Sequence, residues 1–346
     1  MAKETQVHGA SVAEVTLNAY EHAYEQGWTD GLPIIPPSEE LVQRFVAASS
    51  REARESIGVL PPRSGVATVE VVAVNAVMAG CRPEYMPVII AALEALTDPA
   101  FPLELIQVTT NPMTPLLLLN GPIRHQLDIN YGAGCLGPGW RANATIGRAV
   151  RLILLNVGGA LPGIYSKSSF ASPLRYSYVL GENEEENPWG SFHTDRDFDP
   201  EDSTVTVFRA TNYVNISGGE GVGPEEILRH IATAMPPMYL GGEGAMILLG
   251  VNHARNLYDA GVSKQEIQQK LWEYAVVRED HFAADFVATE KAAGRTGPGV
   301  VRRTRLPEQI YVLVAGGPGP QDVYISADMP QTRLIPRYAS EANSGE

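Results

Sequence analysis

The chain has little cysteine and no long apolar run, and both scarcities narrow the class of protein. Only two of its 346 residues are cysteines, Cys81 and Cys135, and they form no Cys-x-x-Cys pair. This excludes a disulfide framework and a zinc knuckle. The longest apolar segments, such as 115–119 and 246–251, have the length of a strand rather than of a membrane span. Since the amino-terminal residues also lack an apolar signal region, we expect a cytoplasmic protein with reduced thiols and no membrane partner.

Basic residues are also scarce. Lysine and arginine together number 26 against 40 acidic residues, which gives a net charge of −14 and argues against a nucleic-acid partner. With 44% hydrophobic and 19% charged residues, the composition is that of a globular protein with a sizeable core. The high content of glycine (33) and proline (26) predicts many loops and turns.

Helical patterns alternate with short apolar runs, and this predicts an α/β protein. We expect helices at 11–26, 38–48, 84–97, 141–157, 224–235, 254–260, 264–277 and 280–292, and one that begins at Thr68. We expect buried strands at 105–108, 116–119, 204–209, 245–251 and 309–314. This order predicts two interleaved α/β lobes, residues 1–200 and 201–346.

The two halves of the chain share a short sequence pattern. In segments 105–120 and 205–252, a strand ends in Thr-Asn, and a second apolar strand ends in an asparagine with a histidine shortly after. This pattern indicates a weak internal duplication. Ligands of open α/β sheets bind beyond the carboxyl ends of the strands. We therefore expect Asn111, Asn120 and Asn252, with His253 as a candidate base, to meet in a cleft between the lobes.

The stretch around Cys81 is the first candidate site. The thiol follows a run of small residues and Gly80, with Arg82 beside it, Glu84 close by and a helix expected from Pro83. Positive charge and helix N-termini lower a cysteine pKa. We therefore expect Cys81 to be a nucleophile or redox thiol with a depressed pKa, and Glu84 to transfer protons. The alternative is a small buried core residue.

A glycine-rich loop, 132–139, precedes the helix predicted from Arg141. Unpaired backbone N–H groups at such a helix start suit a carboxylate or phosphate, and Arg148 and Asn143 are expected to help bind it. The loop is not a P-loop, because no Gly-Lys-Ser/Thr follows it. A simple tight connection is the alternative.

The acidic segment 182–197 supplies a second kind of candidate. Glu182 and Glu184, with His193 or His253, suit a divalent metal or general acid–base chemistry. Their spacing matches neither His-Glu-x-x-His nor an EF-hand loop. A solvated acidic loop is the alternative.

Four long motifs resemble a poorly characterised bacterial family. They are Trp-Thr-Asp-Gly-Leu-Pro-Ile-Ile-Pro-Pro at 28–37, Thr-Val-Glu at 68–70 with Ala-Val-Asn-Ala-Val-Met-Ala-Gly-Cys-Arg-Pro-Glu-Tyr at 73–85, Asn-Ala-Thr-Ile-Gly-Arg at 143–148, and the acidic segment that begins at Glu182 and ends in Pro-Trp at 188–189. The family is associated with thioredoxin-annotated selenoproteins that carry a selenocysteine-Gly-Ser-Cys motif. The resemblance implies thiol or selenol chemistry, and a thiol or selenol partner protein.

The leading hypothesis is an enzyme that acts on a small anionic organic substrate through Cys81, without a cofactor and as a homo-oligomer. Neutral amides suit a reacting oxyanion. The expected substrate-binding residues are Asn75, Arg82, Asn111, Asn120, Asn143, Arg148 and Asn252. One alternative is a metal-assisted hydrolase or lyase using Glu182, Glu184 and His193 or His253. Another is a non-catalytic binding subunit for a separate thiol or selenol protein.

Overall fold

The computed structural model describes residues 5–219, 221–235 and 243–336. Its helices are α1 (Val12–Glu25), α2 (Glu39–Ala48), α3 (Val69–Ala79), α4 (Met86–Leu96), α5 (Leu103–Val108), α6 (Ile123–Gln126), α7 (Arg141–Asn156), α8 (Pro224–Thr233), α9 (Val251–Asp259), α10 (Lys264–Tyr274) and α11 (Ala284–Ala292). Its strands are β1 (Ser56–Leu60), β2 (Gly65–Thr68), β3 (Thr114–Asn120), β4 (Val179–Gly181), β5 (Thr204–Ala210), β6 (Val214–Ser217), β7 (Ala245–Leu249), β8 (Val276–Arg278), β9 (Thr296–Gly297), β10 (Val300–Arg302), β11 (Ile310–Val314), β12 (Gln321–Ile325) and β13 (Ala327–Leu334). The α/β class is confirmed.

Two four-stranded sheets pack face to face, and each carries helices on its outer face. In β3, Leu116 and Leu118 point into the core between the sheets, whereas Leu117 and Leu119 point into the core under α3, α4 and α7. In β7, Met246 likewise faces the first sheet, and its neighbours face α8, α9 and α10. Side chains alternate across a strand. Strands buried on both faces therefore have continuous apolar sequences.

The two sheets share one topology and exchange their last strands. In the first, β3 is flanked by parallel β4 and antiparallel β5, and β13 pairs outside β5. In the second, β7 is flanked by parallel β11 and antiparallel β12, and β6 pairs outside β12. The chain thus leaves the first sheet after β5 to add β6 to the second, and returns after β12 to add β13 to the first. This correspondence supports an internal duplication, and the two halves of the chain are interleaved.

Side-chain caps begin several helices where the sequence predicts them. Ser11, Ser38 and Thr68 each accept a hydrogen bond from the backbone N–H three residues further on, which satisfies one of the unpaired donors of a helix start. The helix expected from residue 84 begins instead with a 3-10 turn, Pro83–Tyr85, before α4.

One predicted strand is wrong. Residues 105–108 belong to helix α5, whose buried residues are Leu103, Ile106 and Gln107. Their spacing of three and four residues is helical, and Leu105 is exposed.

In the described part of the chain, no helix combines the length and apolar character that a membrane crossing needs.

Candidate active site

The Cys81 thiol lies in the helical core rather than in an activated site. Its side chain is 5% exposed, and Sγ donates a hydrogen bond to the backbone oxygen of Thr145 at 3.2 Å. Burial raises the pKa of Cys81 to about 12, so the expected depressed pKa is wrong. Burial also raises the pKa of Cys135. The small residues before Cys81 indicate close helix packing. The burial of the thiol therefore affects its pKa more than the charge of the neighbouring Arg82, whose side chain is exposed.

The other residues expected around Cys81 and the glycine loop make contacts within the protein. Glu84 is exposed, like Arg82. Asn75 is buried, donates to Val71 O at 2.9 Å and accepts from the Asn156 amide at 2.8 Å. The bond to Val71 lies within α3, and the bond to Asn156 joins α3 to α7. Asn75 therefore has a packing role that needs no substrate.

The polar groups expected to bind an anion at the start of α7 also form hydrogen bonds and ion pairs within the protein. Asn143 joins the 130–135 loop to β4, because its amide accepts from Asn130 N at 2.8 Å and donates to three backbone oxygens. Arg148 forms a two-point ion pair with Asp30, with N···O distances of 2.8 and 2.9 Å. Arg141 donates to the backbone oxygens of Gly80 and Cys81. The anion site expected here remains a prediction.

Of the asparagines that were expected to meet in one cleft, Asn111 and Asn120 lie at opposite ends of a strand. Asn111 precedes β3 and Asn120 ends it, so the seven-residue strand separates them by about 20 Å. Asn120 is buried and donates to two carboxylates, whereas Asn252 is exposed beside a cavity of about 330 Å³. Neither Cys81 nor the other two asparagines line that cavity. The prediction of a shared cleft is therefore wrong at this cavity.

The acidic segment folds into a buried polar cluster at the ends of β3 and β4. Glu182 is fully buried and accepts hydrogen bonds from the Asn120 amide at 2.6 Å, the Asn187 amide at 2.7 Å and Phe192 N at 2.7 Å. Burial raises its pKa to about 7, although these donors favour the charged form. Glu182 is thus a structural acid that titrates near neutrality.

Glu184 and His193 lie in the same cluster. Glu184 pairs with Arg124 at 3.1 Å, and one of its oxygens lies 4.0 Å from His193 Nδ1. Amide and guanidinium donors therefore face the Glu184 carboxylate. Across the described ranges, no three His, Cys, Asp or Glu side chains are arranged to hold a metal ion.

Among the predicted site residues, His253 is the one whose surroundings resemble those of a general base. It lies in the first turn of α9, 4% exposed, and its Nδ1 is 2.8 Å from the Asp322 carboxylate on β12. The other Asp322 oxygen accepts from Gly250 N at 3.1 Å. With Nδ1–H donating to Asp322, the neutral imidazole carries its lone pair on Nε2. Nε2 is buried and has no hydrogen-bond partner among the described residues.

A glycine-rich loop covers this imidazole and leaves space beside it. The cavity of about 330 Å³ is lined by Gly219, Gly221, Asn252, His253, Asn256 and Pro320. A Cβ on Gly218 would lie 2.4 Å from His253 Cε1 and 3.0 Å from Nε2. Only glycine therefore lets the backbone approach the histidine so closely. The cavity has the size of a small-molecule site.

The first half of the chain carries a counterpart of this arrangement. After β3, Gly121 N donates to Glu184 at 2.7 Å, and Arg124, three residues on, pairs with the same carboxylate. A Cβ on Gly121 would lie 2.0 Å from the backbone oxygen of Asp202, just before β5, and a Cβ on Gly250 would lie 2.3 Å from that of Gln321, the first residue of β12. The two halves thus both carry a glycine and, three residues later, a carboxylate-binding side chain. In the first half, Glu184 of the long loop before β5 takes the place that Asp322 has in the second half.

Asp322 is the functional candidate that sequence reasoning missed. It lies 69 positions from its partner His253, on a strand that the apolar pattern did not reveal. The nearby Gly-Gly-Pro-Gly of 316–319 was the available signal, because it indicates close backbone approach.

No family model and no curated protein matches this chain.

Proposed function

We propose that this protein is an enzyme that acts on a small anionic organic molecule, with His253 as general base. Asp322 holds the imidazole in the tautomer that leaves Nε2 free to take a proton. Two observations carry the proposal: Nε2 of His253 is buried without a hydrogen-bond partner among the described residues, and His253 lines a cavity of about 330 Å³. A buried polar atom without a partner costs about 1–3 kcal/mol, and a substrate proton or hydroxyl would remove that cost.

The start of α9 supports an anionic substrate. The first N–H groups of a helix have no acceptor within the helix, and they carry partial positive charge. In α9 these groups belong to the turn that holds Asn252 and His253, both of which line the cavity. A carboxylate or phosphate at this point would lie beside the base. Asn252 remains the predicted substrate-binding amide.

The thiol mechanism lacks comparable support. Because burial raises the pKa of Cys81 to about 12, its thiol stays protonated at pH 7. His253, by contrast, is oriented by the Asp322 carboxylate at Nδ1, and its Nε2 has no hydrogen-bond partner among the described residues. We therefore assign the proton transfer to His253, and a packing role to Cys81.

A ligand screen followed by turnover assays tests the proposal. Thermal shifts with a panel of hydroxy acids, keto acids, amino acids and phosphorylated compounds would find binders, and proton NMR would detect their conversion. We expect His253→Gln to reduce turnover by roughly 10²–10⁴-fold. His281→Gln, which removes an exposed histidine outside the cavity lining, is the control. Equal turnover by wild type and His253→Gln would overturn the assignment.

A further inference from the structure

Helix α1 leaves an apolar stripe exposed to solvent. Of its 14 residues only Ala23 is buried, whereas Leu17 and Tyr24 are 56% and 58% exposed. With about 3.6 residues per turn, Ala13, Leu17 and Tyr24 form one stripe, about a quarter turn away from the side that carries Ala23. A helix of this length is marginal in water unless an apolar face is packed. The stripe therefore needs a second surface.

Carboxylates lie along one edge of this stripe. Glu14, Glu21 and Glu25 follow one another at helical spacing, and α1 contains no lysine or arginine. Within the described ranges, neither Glu21 nor Glu25 forms an ion pair. The surface that α1 presents is thus apolar with an acidic edge.

A second exposed apolar surface follows α7, in segment 161–176. Phe170 is 99% exposed and Ile164 is 62% exposed. The segment is fixed on the protein, because Ser169 N donates to Thr110 O at 2.9 Å. Apolar side chains held in this way at a surface mark an interaction site.

This second surface is basic, although the whole protein is acidic. Residues 129–181 contain no Asp or Glu, whereas the whole chain has 40. Lys167 and Arg175 lie within segment 161–176, and they donate to neutral groups, among them Gly163 O and Ser166 Oγ. Its charge complements the acidic edge of α1, and such complementarity favours one pairing of surfaces over others.

The two surfaces lie side by side along the C-terminal half of α7. The Asn156 amide donates to the backbone oxygen of Trp28, just after α1, at 2.9 Å. Arg151 donates to the backbone oxygen of Arg175 at 3.1 Å. Two complementary surfaces on one face of a molecule meet their counterparts on a second copy around a two-fold axis.

We infer that this face is the interface of a homodimer, in which α1 of each copy packs on segment 161–176 of the other. The chain itself supplies both complementary surfaces, so no other partner is required. A standard interface uses about 20–30 residues a side, and α1 and the segment together supply this number. The inference does not depend on the His253 cavity.

Sedimentation velocity of the full chain tests the interface. We expect a dimer at micromolar concentration. Leu17→Asp and Phe170→Asp would each place a carboxylate in an apolar contact, and each should raise the dimer Kd at least about tenfold. Leu306→Asp, which changes a 46% exposed leucine in the second half of the chain, is the control and should leave the Kd unchanged.

A mixture of the two variants tests the exchange of α1. In a mixed dimer, α1 of the Phe170→Asp chain meets segment 161–176 of the Leu17→Asp chain, and both of these surfaces are wild type. Mixing should therefore give more dimer than either variant forms alone.

Three results would overturn the inference. The first is a wild-type chain that stays monomeric at high micromolar concentration, which would leave the two surfaces to other partners. The second is a dimer that tolerates both Leu17→Asp and Phe170→Asp. The third is a mixture that associates no more than its components. The first result needs only the wild-type protein, so it is decisive even if a variant fails to fold.

Discussion

Asp322→Asn is the most informative perturbation of the proposed site. Both Asp322 oxygens accept hydrogen bonds, one from His253 Nδ1 at 2.8 Å and one from Gly250 N at 3.1 Å. An asparagine has a single acceptor oxygen. It must therefore either oppose the backbone N–H or force His253 into the tautomer that carries its proton on Nε2.

The structure gives the size of both effects. Asp322 is 2% exposed, so a donor left without an acceptor is buried and costs about 1–3 kcal/mol of unfolding free energy. The tautomer change removes the lone pair from Nε2, and in hydrolases with an analogous Asp–His pair such a change lowers turnover by about 10⁴-fold. We expect a moderate loss of stability together with a large loss of activity.

Urea unfolding and ¹⁵N NMR of labelled histidine measure the two effects separately. The control is Glu290→Gln, which breaks a buried ion pair with Arg295 away from the cavity and should lower stability while it leaves the His253 tautomer unchanged. A wild-type spectrum with the proton of His253 on Nε2 would refute the reasoning. An unchanged tautomer in Asp322→Asn would refute it as well.

Three further predictions concern other parts of the structure. Native Cys81 should resist iodoacetamide at pH 7 and react once the protein is unfolded in urea, and fast labelling of the folded protein would contradict the raised pKa. Gly218→Ala should disturb His253, because its Cβ would lie 2.4 Å from the imidazole; we expect lower turnover with Tm within a few degrees of wild type, whereas Gly261→Ala, with no atom near its Cβ but a positive φ and outside the cavity lining, should affect mainly stability. Because burial raises the pKa of Glu182 to about 7, the folded state binds more protons than the unfolded state between pH 4.5 and 7. The contribution of Glu182 to stability is thus present at low pH and lost as the pH rises through 7, and Glu182→Gln should flatten that part of the stability profile in urea unfolding at pH 5 to 8.

The sequence by itself determined the local structure. Ser11, Ser38 and Thr68 were recognisable as helix starts, and in the structure the hydroxyl of each accepts a hydrogen bond from one of the first N–H groups of its helix. Continuous apolar runs gave the central strands β3 and β7, which are buried on both faces. Residues 105–108 show the limit of this reasoning, since a four-residue apolar run is equally compatible with a strand and a buried helical turn.

Only the tertiary structure decided which chemistry those elements support. Arg82 follows Cys81 in the sequence, and its positive charge would lower the pKa of the thiol. In the structure, α7 packs over the thiol and excludes water, which raises that pKa. His253 has no local partner, and its partner Asp322 arrives on a strand 69 residues later. The exchange of β6 and β13 between the sheets is likewise invisible in local patterns. Burial and partner identity depend on contacts between distant segments, and these contacts set pKa values, tautomers and cavities.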